Sequence, residues 1–259
     1  GNEATFSSPS SRLVRVVRVV RAMSPPAPTT PPRKDRQTIT PVRHGLFFRA
    51  PEALPRGRHS LTREEVRLAH QERLMIAATE LLAAVGYRGA GVREICAHAG
   101  VSRQAFYDVF ADKDECIFAG YDRFIQVLLS RLAVSPKEHE LGPRAREIIG
   151  AYLDTLQLDL VVARAFQVEI DALGLRARER RRKSLRLFAN FIASERERVI
   201  QGPRAPLPLS AYVGIVYAVR QLASDALDEC EEPDLGALAD DVTTWIAHTL
   251  RGPTPDEGE

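Results

Sequence analysis

Ser102, Arg103, Gln104, Tyr107 and Lys113 lie within twelve residues of one another. A guanidinium can bond bidentately to guanine and a carboxamide to adenine, while hydroxyl and ammonium groups reach phosphate oxygens. Residues of these types at such spacing could meet one stretch of duplex from one short helix and the start of the next. The flanking sequence supplies that short helix. Val92 to Ala99 reads as a short amphipathic helix, Gly100-Val101-Ser102 as a tight turn, and Arg103 to about Phe110 as a second short helix. This is the spacing of a helix-turn-helix, whose helices cross at roughly 90–120° and whose second helix can enter the DNA major groove. Ile95, Ala99, Val101, Phe106 and Phe110 form its expected core. Gly100 suits the positive φ where the first helix ends, Ser102 is a good N-cap, and Asp112 caps the next helix. Lys113 opposes the dipole of that helix's first turn, which suits an anionic partner. A purely structural three-helix unit could share the pattern, but polar, aromatic and basic residues on one short helix favour DNA.

The elements upstream must hold this unit. Thr62-Arg63-Glu64-Glu65 is a T-x-x-E capping box. After it Leu74, Ala77, Ala78, Leu81, Leu82 and Val85 recur at helical spacing as one apolar stripe. Gly86 is expected to end the helix as a left-handed cap, with Tyr87 packing back over the last turn. Arg63, Arg67 and Arg73 lie off the stripe, where they could meet phosphates or form a solvated face. Residues 1–60 are rich in Pro, Ser and Arg and poor in acids, and are expected to be a disordered basic extension. Arg12, Arg15, Arg18 and Arg21 interrupt its valine run too often for a membrane span or a signal-peptide core. That segment reads either as an arm touching phosphates or as an upstream extension preceding a start at Met23. Residues 252–259 are expected to be a disordered tail.

Composition excludes several classes. The cysteines Cys96, Cys116 and Cys230 are odd in number and widely spaced, which disfavours a disulfide framework or a zinc site. None of the six histidines falls in a catalytic or ligand spacing, and no nucleophile–base–acid set or phosphate loop appears. The chain therefore reads as a non-enzyme without cofactor or metal, in a reducing cytoplasm. The formal net charge of +2 averages a basic N-terminal part with a more acidic C-terminal end and decides little.

Leu74-Met-Ile-Ala-Ala after Arg73, then Gly86-Tyr87, Val92-Arg-Glu-Ile95, Ala99-Gly100-Val101-Ser102, Phe106-Tyr107, Phe110 and Asp112-Lys113-Asp114 follow in unbroken register. Together they resemble the N-terminal signature of the TetR family of transcriptional regulators, over about Leu68 to Cys116. The resemblance implies an all-α homodimer: an N-terminal three-helix helix-turn-helix domain binding a palindromic double-stranded operator, then a larger helical ligand-binding and dimerisation domain taking a small-molecule inducer. By motif position it assigns DNA contacts to Ser102, Arg103, Gln104, Tyr107 and Lys113. The sequence departs from the family pattern twice. Gly91 stands where a capping Thr or Ser is usual, leaving only a backbone contact there. Asp108 occupies a position that often faces the DNA backbone, where an acid repels phosphate unless it pairs with a neighbouring Arg or reads a cytosine amine.

The domain boundaries expected are 61–112 for DNA binding and 113–251 for ligand binding and dimerisation. In the second, helices are expected over Asp112–Leu132, from Pro143 through Leu156, Val161–Leu173, Arg176 to about Ile200, Leu209–Leu227 and Pro233–Leu250. Tyr212, Ile215, Val216, Val219 and Leu222, then Leu235, Leu238, Val242, Trp245 and Ile246, make apolar faces on the last two. The resemblance assigns that region, roughly 209–250, to a four-helix dimer interface; an internal core face is the alternative. Phe124, Tyr152, Phe166, Phe188 and Phe191 suit an apolar ligand pocket, each alternatively plain core. Glu169 falls on the Val162, Ala165, Phe166, Leu173 face, where a carboxylate needs a partner. It could anchor a cationic ligand or pair with Arg181 or Arg182. The function these readings support is a ligand-released repressor. The alternative is a ligand-independent DNA-binding or architectural protein, which would have a packed C-terminal interior.

Overall fold

Thr62 starts the first helix as its sequence predicts: its hydroxyl accepts from the Glu65 amide at 3.2 Å, and Glu65 reaches back to the Thr62 amide at 2.7 Å. The structure, a computed structural model, describes residues 39–50, 61–134, 138–200 and 205–252. Among these are nine α-helices, a 3-10 turn and no strand. In order they are α1 (Arg63–Gly89), α2 (Val92–Ala99), α3 (Arg103–Tyr107), α4 (Lys113–Leu132), α5 (Leu141–Leu158) and α6 (Leu160–Gln167). The 3-10 turn Glu169–Leu173 follows, then α7 (Leu175–Val199), α8 (Leu209–Glu229) and α9 (Leu235–Arg251). The expectations for residues 1–22, for Met23 and for the C-terminal tail after Gly252 fall outside the described residues.

The helix boundaries have local causes. Gly86 takes the positive φ expected of it (+69°), yet it kinks α1 rather than ending it, because one more turn forms through Gly89. Val85, expected on the buried stripe, is exposed beside that kink. Pro143 lies in the first turn of α5, where a missing N–H costs nothing. The predicted Val161–Leu173 helix is broken at Val168 into α6 and the 3-10 turn, which swings Glu169 off the face its periodicity implied. Helix α3 stops at Tyr107, shorter than expected; Phe110 still closes on Phe106 through a 2.8 Å amide bond.

Helix α1 is the spine. It packs on α2 and α3 on one side, and on α4, α6 and the 3-10 turn on the other. Behind it α5 pairs with α9, and α7 with α8. Leu74, Met75, Ala77, Ala78 and Leu82 are almost wholly enclosed. The deepest cluster is aromatic: Phe124 lies 5.4 Å from Phe166 and 6.3 Å from Tyr121, and Tyr121 meets Phe166 edge-on at 5.9 Å. Such pairs contribute about 0.5–1.5 kcal/mol each beyond their area burial.

One part of the N-terminal extension is ordered, which corrects the expectation of disorder throughout 1–60. Residues 39–50 form a strap on the helical body, with Val42, Phe47 and Phe48 buried. A tight turn closed by the Gly45 amide on the Phe48 carbonyl (2.8 Å) presents both phenylalanines inward. Phe47 stacks at 5.5 Å on Phe124, and Phe48 lies under the Arg123 guanidinium. Main-chain amides of Val42, Arg43 and Arg49 bond to Glu80, Asp159 and Glu72 at 2.7–2.8 Å. Ile39, Val42, Leu46, Phe47 and Phe48 follow neither helical nor strand periodicity, inside polar low-complexity sequence, and give no signal of their own. Their order comes from a surface built by distant residues.

Truncating a buried aromatic typically costs about 3–5 kcal/mol. Phe47→Ala is therefore expected to lower the urea midpoint at an unchanged slope. A stability loss below about 1 kcal/mol would mean that the strap is not held as described.

Candidate functional site

The helix-turn-helix forms from the residues that predict it. Gly100 adopts φ +64°, ψ +33°, and Val101 returns its amide to the Cys96 carbonyl at 3.0 Å. Ser102 accepts from the Ala105 amide at 3.1 Å and so opens α3. Ile95, Val101, Phe106 and Phe110 are buried between the helices. With Phe106 turned inward, Ser102, Arg103, Gln104 and Tyr107 are all exposed. Gly91 caps α2 with no side-chain bond, as its lack of a hydroxyl requires. Asp108, which caps the C-terminal end of α3, has a partner on that helix: Gln104 Nε2 donates to its Oδ1 at 3.1 Å. The acid thus engages one end of the amide and orients the other.

Lys113 sits apart from that exposed set. It is half-buried, donates to the Tyr87 carbonyl at 2.9 Å and lies 3.7 Å above the Tyr87 ring. Tyr87 in turn donates its hydroxyl to Asp114 at 2.7 Å. Burial first, and then this carboxylate, push the Tyr87 pKa up to about 12, so the phenol stays a donor. The clasp fastens the start of α4 to the turn after the Gly86 kink. It was not evident in sequence, because Tyr87 and Asp114 are distant in the chain and lie on different helices.

A second fastening escaped sequence reading. Glu80, buried in the middle of α1, accepts the Val42 amide at 2.8 Å and meets His98 Nε2 of α2 at 2.5 Å. Asp159 caps α6 through the Val161 and Val162 amides, both at 3.1 Å, and takes the Arg43 amide as well. Burial outweighs those bonds and raises its pKa. Cys116 is buried and its thiol pKa is pushed up, which disfavours the thiolate that redox chemistry would use.

A cavity of about 80 Å³ opens among α4 to α9. Phe124, Tyr152, Phe166 and Phe188 line it, as their residue types suggested. Phe191 does not: Leu185, Phe188 and Ile192 share the cavity-facing side of α7, and Phe191 is rotated off it. Glu169 is absent too, its carboxylate lying against Gly86 of α1. Arg181, one of the two arginines suggested for it, is ion-paired with Asp171. The polar lining is Gln167, Arg220 and the two tyrosines Tyr121 and Tyr152. Burial raises the pKa of both phenols, keeping them protonated.

Residues 74–119 match the family model of bacterial regulatory proteins of the tetR family. Over this segment, which spans the helix-turn-helix, the chain carries the signature of that family. Its fold is similar to that of the fatty acid degradation regulator FadR from Bacillus halodurans (19% identity, 71% of this chain and 97% of that chain, TM-score 0.58). It is also similar to FadR from Bacillus subtilis, solved in complex with stearoyl-CoA (19% identity, 68% and 97% covered, TM-score 0.56). A transcriptional regulator from Rhodococcus sp. Rha1 shares it as well (24% identity, 71% and 99% covered, TM-score 0.57). No curated protein matches the chain. That match supports a DNA-binding transcriptional regulator, and among the described residues no helix is long and apolar enough to cross a membrane.

Glu80→Ala is expected to cost about 1–3 kcal/mol, since it strands the buried Val42 amide. Hydrogen exchange at Val42 should become fast while α5 and α9 stay protected. Unchanged protection at Val42 would show that Glu80 does not hold the strap.

Proposed function

We propose that this protein is a homodimeric repressor of the TetR type that leaves a palindromic operator when a small, mainly apolar effector fills the cavity. The observation that carries the reading is that one helix belongs to both sites. The first turn of α4 is clasped to Tyr87 through Lys113 and Asp114, while Tyr121, Phe124, Ile125 and Leu128 further along it wall the cavity. Between them Gly120 packs so tightly that a Cβ there would come within 3.0 Å of Phe166 and 3.4 Å of Thr79. An effector that displaces Phe124 or Phe166 therefore presses on α4 with little slack to absorb the push. Because DNA and effector favour different positions of α4, each weakens the other by the same coupling energy.

In this reading residues 61–112 are the DNA-binding domain and 113–251 the effector and dimerisation domain. Arg103 reads guanine, and Gln104, oriented by Asp108, reads adenine. Ser102 and Tyr107 bond to phosphates, and Lys113 supplies positive charge from the clasp. Exposed Tyr217 and Leu222 on α8 and Trp245 on α9 support a dimer face within 209–250. A dimer with recognition helices about 34–36 Å apart meets successive major grooves. A ligand-independent regulator is the second reading; a cavity walled by aromatic groups and a guanidinium disfavours it.

Duplexes selected from a random pool by the full chain should show two inverted half-sites. The double variant Arg103→Ala/Gln104→Ala should lose that preference, at about 1–3 kcal/mol per base contact, while keeping salt-sensitive non-specific binding. Unchanged operator preference in competition would remove the assignment of these two side chains. Trp245→Glu is expected to sediment as a monomer; an intact dimer would move the interface elsewhere.

A further inference from the structure

The cavity is not uniformly apolar, and its polar groups gather around one chain segment. Gln167 ends α6, is 4% exposed, and its Oε1 is enclosed with no hydrogen-bond partner. Arg220 of α8, 7% exposed, lines the same cavity. One of its nitrogens, Nη2, donates to the Gln167 main-chain carbonyl at 2.7 Å, which Ser224 also engages at 3.1 Å. Arg220 Nη2 also lies 3.7 Å from Asp171 Oδ2, which is ion-paired with Arg181 as well. Two guanidiniums thus share one carboxylate. The phenols of Tyr121 and Tyr152 complete the polar lining and remain protonated.

A buried cation beside a shared counter-ion favours an anionic guest, because added negative charge offsets its desolvation. Guanidinium and phenol groups are donors, and a carboxylate accepts from several donors at once. The Gln167 carboxamide can turn either its oxygen or its nitrogen toward such a head. The rest of the lining, from Ile125, Leu128 and Ile149 to Phe188, Ile215 and Ile246, offers only apolar contact. The geometry points to an effector that is an apolar monocarboxylate, its head at Arg220, Gln167 and the two phenols and its tail among the aliphatic side chains. This rests on the reading of the cavity as the effector site. A cavity of this size calls for a short tail rather than a long chain.

The test is calorimetric titration of the full chain with octanoate, octan-1-ol, octylammonium and octanoyl-CoA, which share a tail and differ in the head. Octanoate should bind at least tenfold more tightly than octanol, and octylammonium should not bind. In Arg220→Gln the acid-to-alcohol ratio should fall toward one; should that variant fail to fold, the ratio in the unaltered protein still decides. Equal binding of acid and alcohol, preference for the cation, binding of the thioester alone, or no binding to a protein that still holds its operator would each overturn the proposal. Octanoate binding without operator release leaves the ligand class standing and removes the effector reading instead.

Discussion

A single buried carboxylate, that of Glu80, joins three separate pieces of chain. It projects from α1, accepts the amide of the strap at Val42 and meets His98 on the first helix of the DNA-reading pair. An acid this enclosed is tolerated only when its oxygens are satisfied, and here the partners come from both sides of the spine. The position of α2 against α1, and so the direction in which α3 presents Arg103 and Gln104, is tied to the strap. The strap is tied in turn to the helical body through Asp159 and Phe124.

From that node the packing is continuous to the cavity. Phe47 stacks on Phe124, Phe124 on Phe166, and Tyr121 closes the group. Close-packed interiors transmit displacement rather than absorb it. A shift of Phe124 is therefore felt by the strap as well as by α4, giving two routes from one wall of the cavity to the spine. One runs along α4 to the Tyr87 clasp, the other through the strap to Glu80.

The sequence was most readable where local chemistry decides structure. The capping box at Thr62, the left-handed Gly100 and the inward Phe106 depend on neighbours a few residues away, and each is found where the pattern placed it. Legibility fell where distant residues decide. Glu169 kept helical spacing with Phe166, but the break at Val168 turned it toward Gly86. Phe191 matched its neighbours in type, yet a modest rotation around α7 separated it from the cavity. The strap was lost altogether, because its order resides in the surface that receives it. Arg220 was hidden in an apolar helix, and only the fold shows what surrounds its charge.

That charge has a structural role before any ligand arrives. Arg220 covers the carbonyl at the end of α6, the negative pole of that helix, and shares Asp171 with Arg181. A guanidinium left wholly uncompensated in such a wall would make folding depend on the ligand. One fully neutralised by its own carboxylate would attract no anionic head. A regulator has to fold both with and without its effector, so its cation must be held well enough for the empty state and incompletely enough for the filled one. Two guanidiniums on one carboxylate, at the end of the short helix that α1 and α4 both touch, meet both demands at the point where occupancy can be felt by the spine.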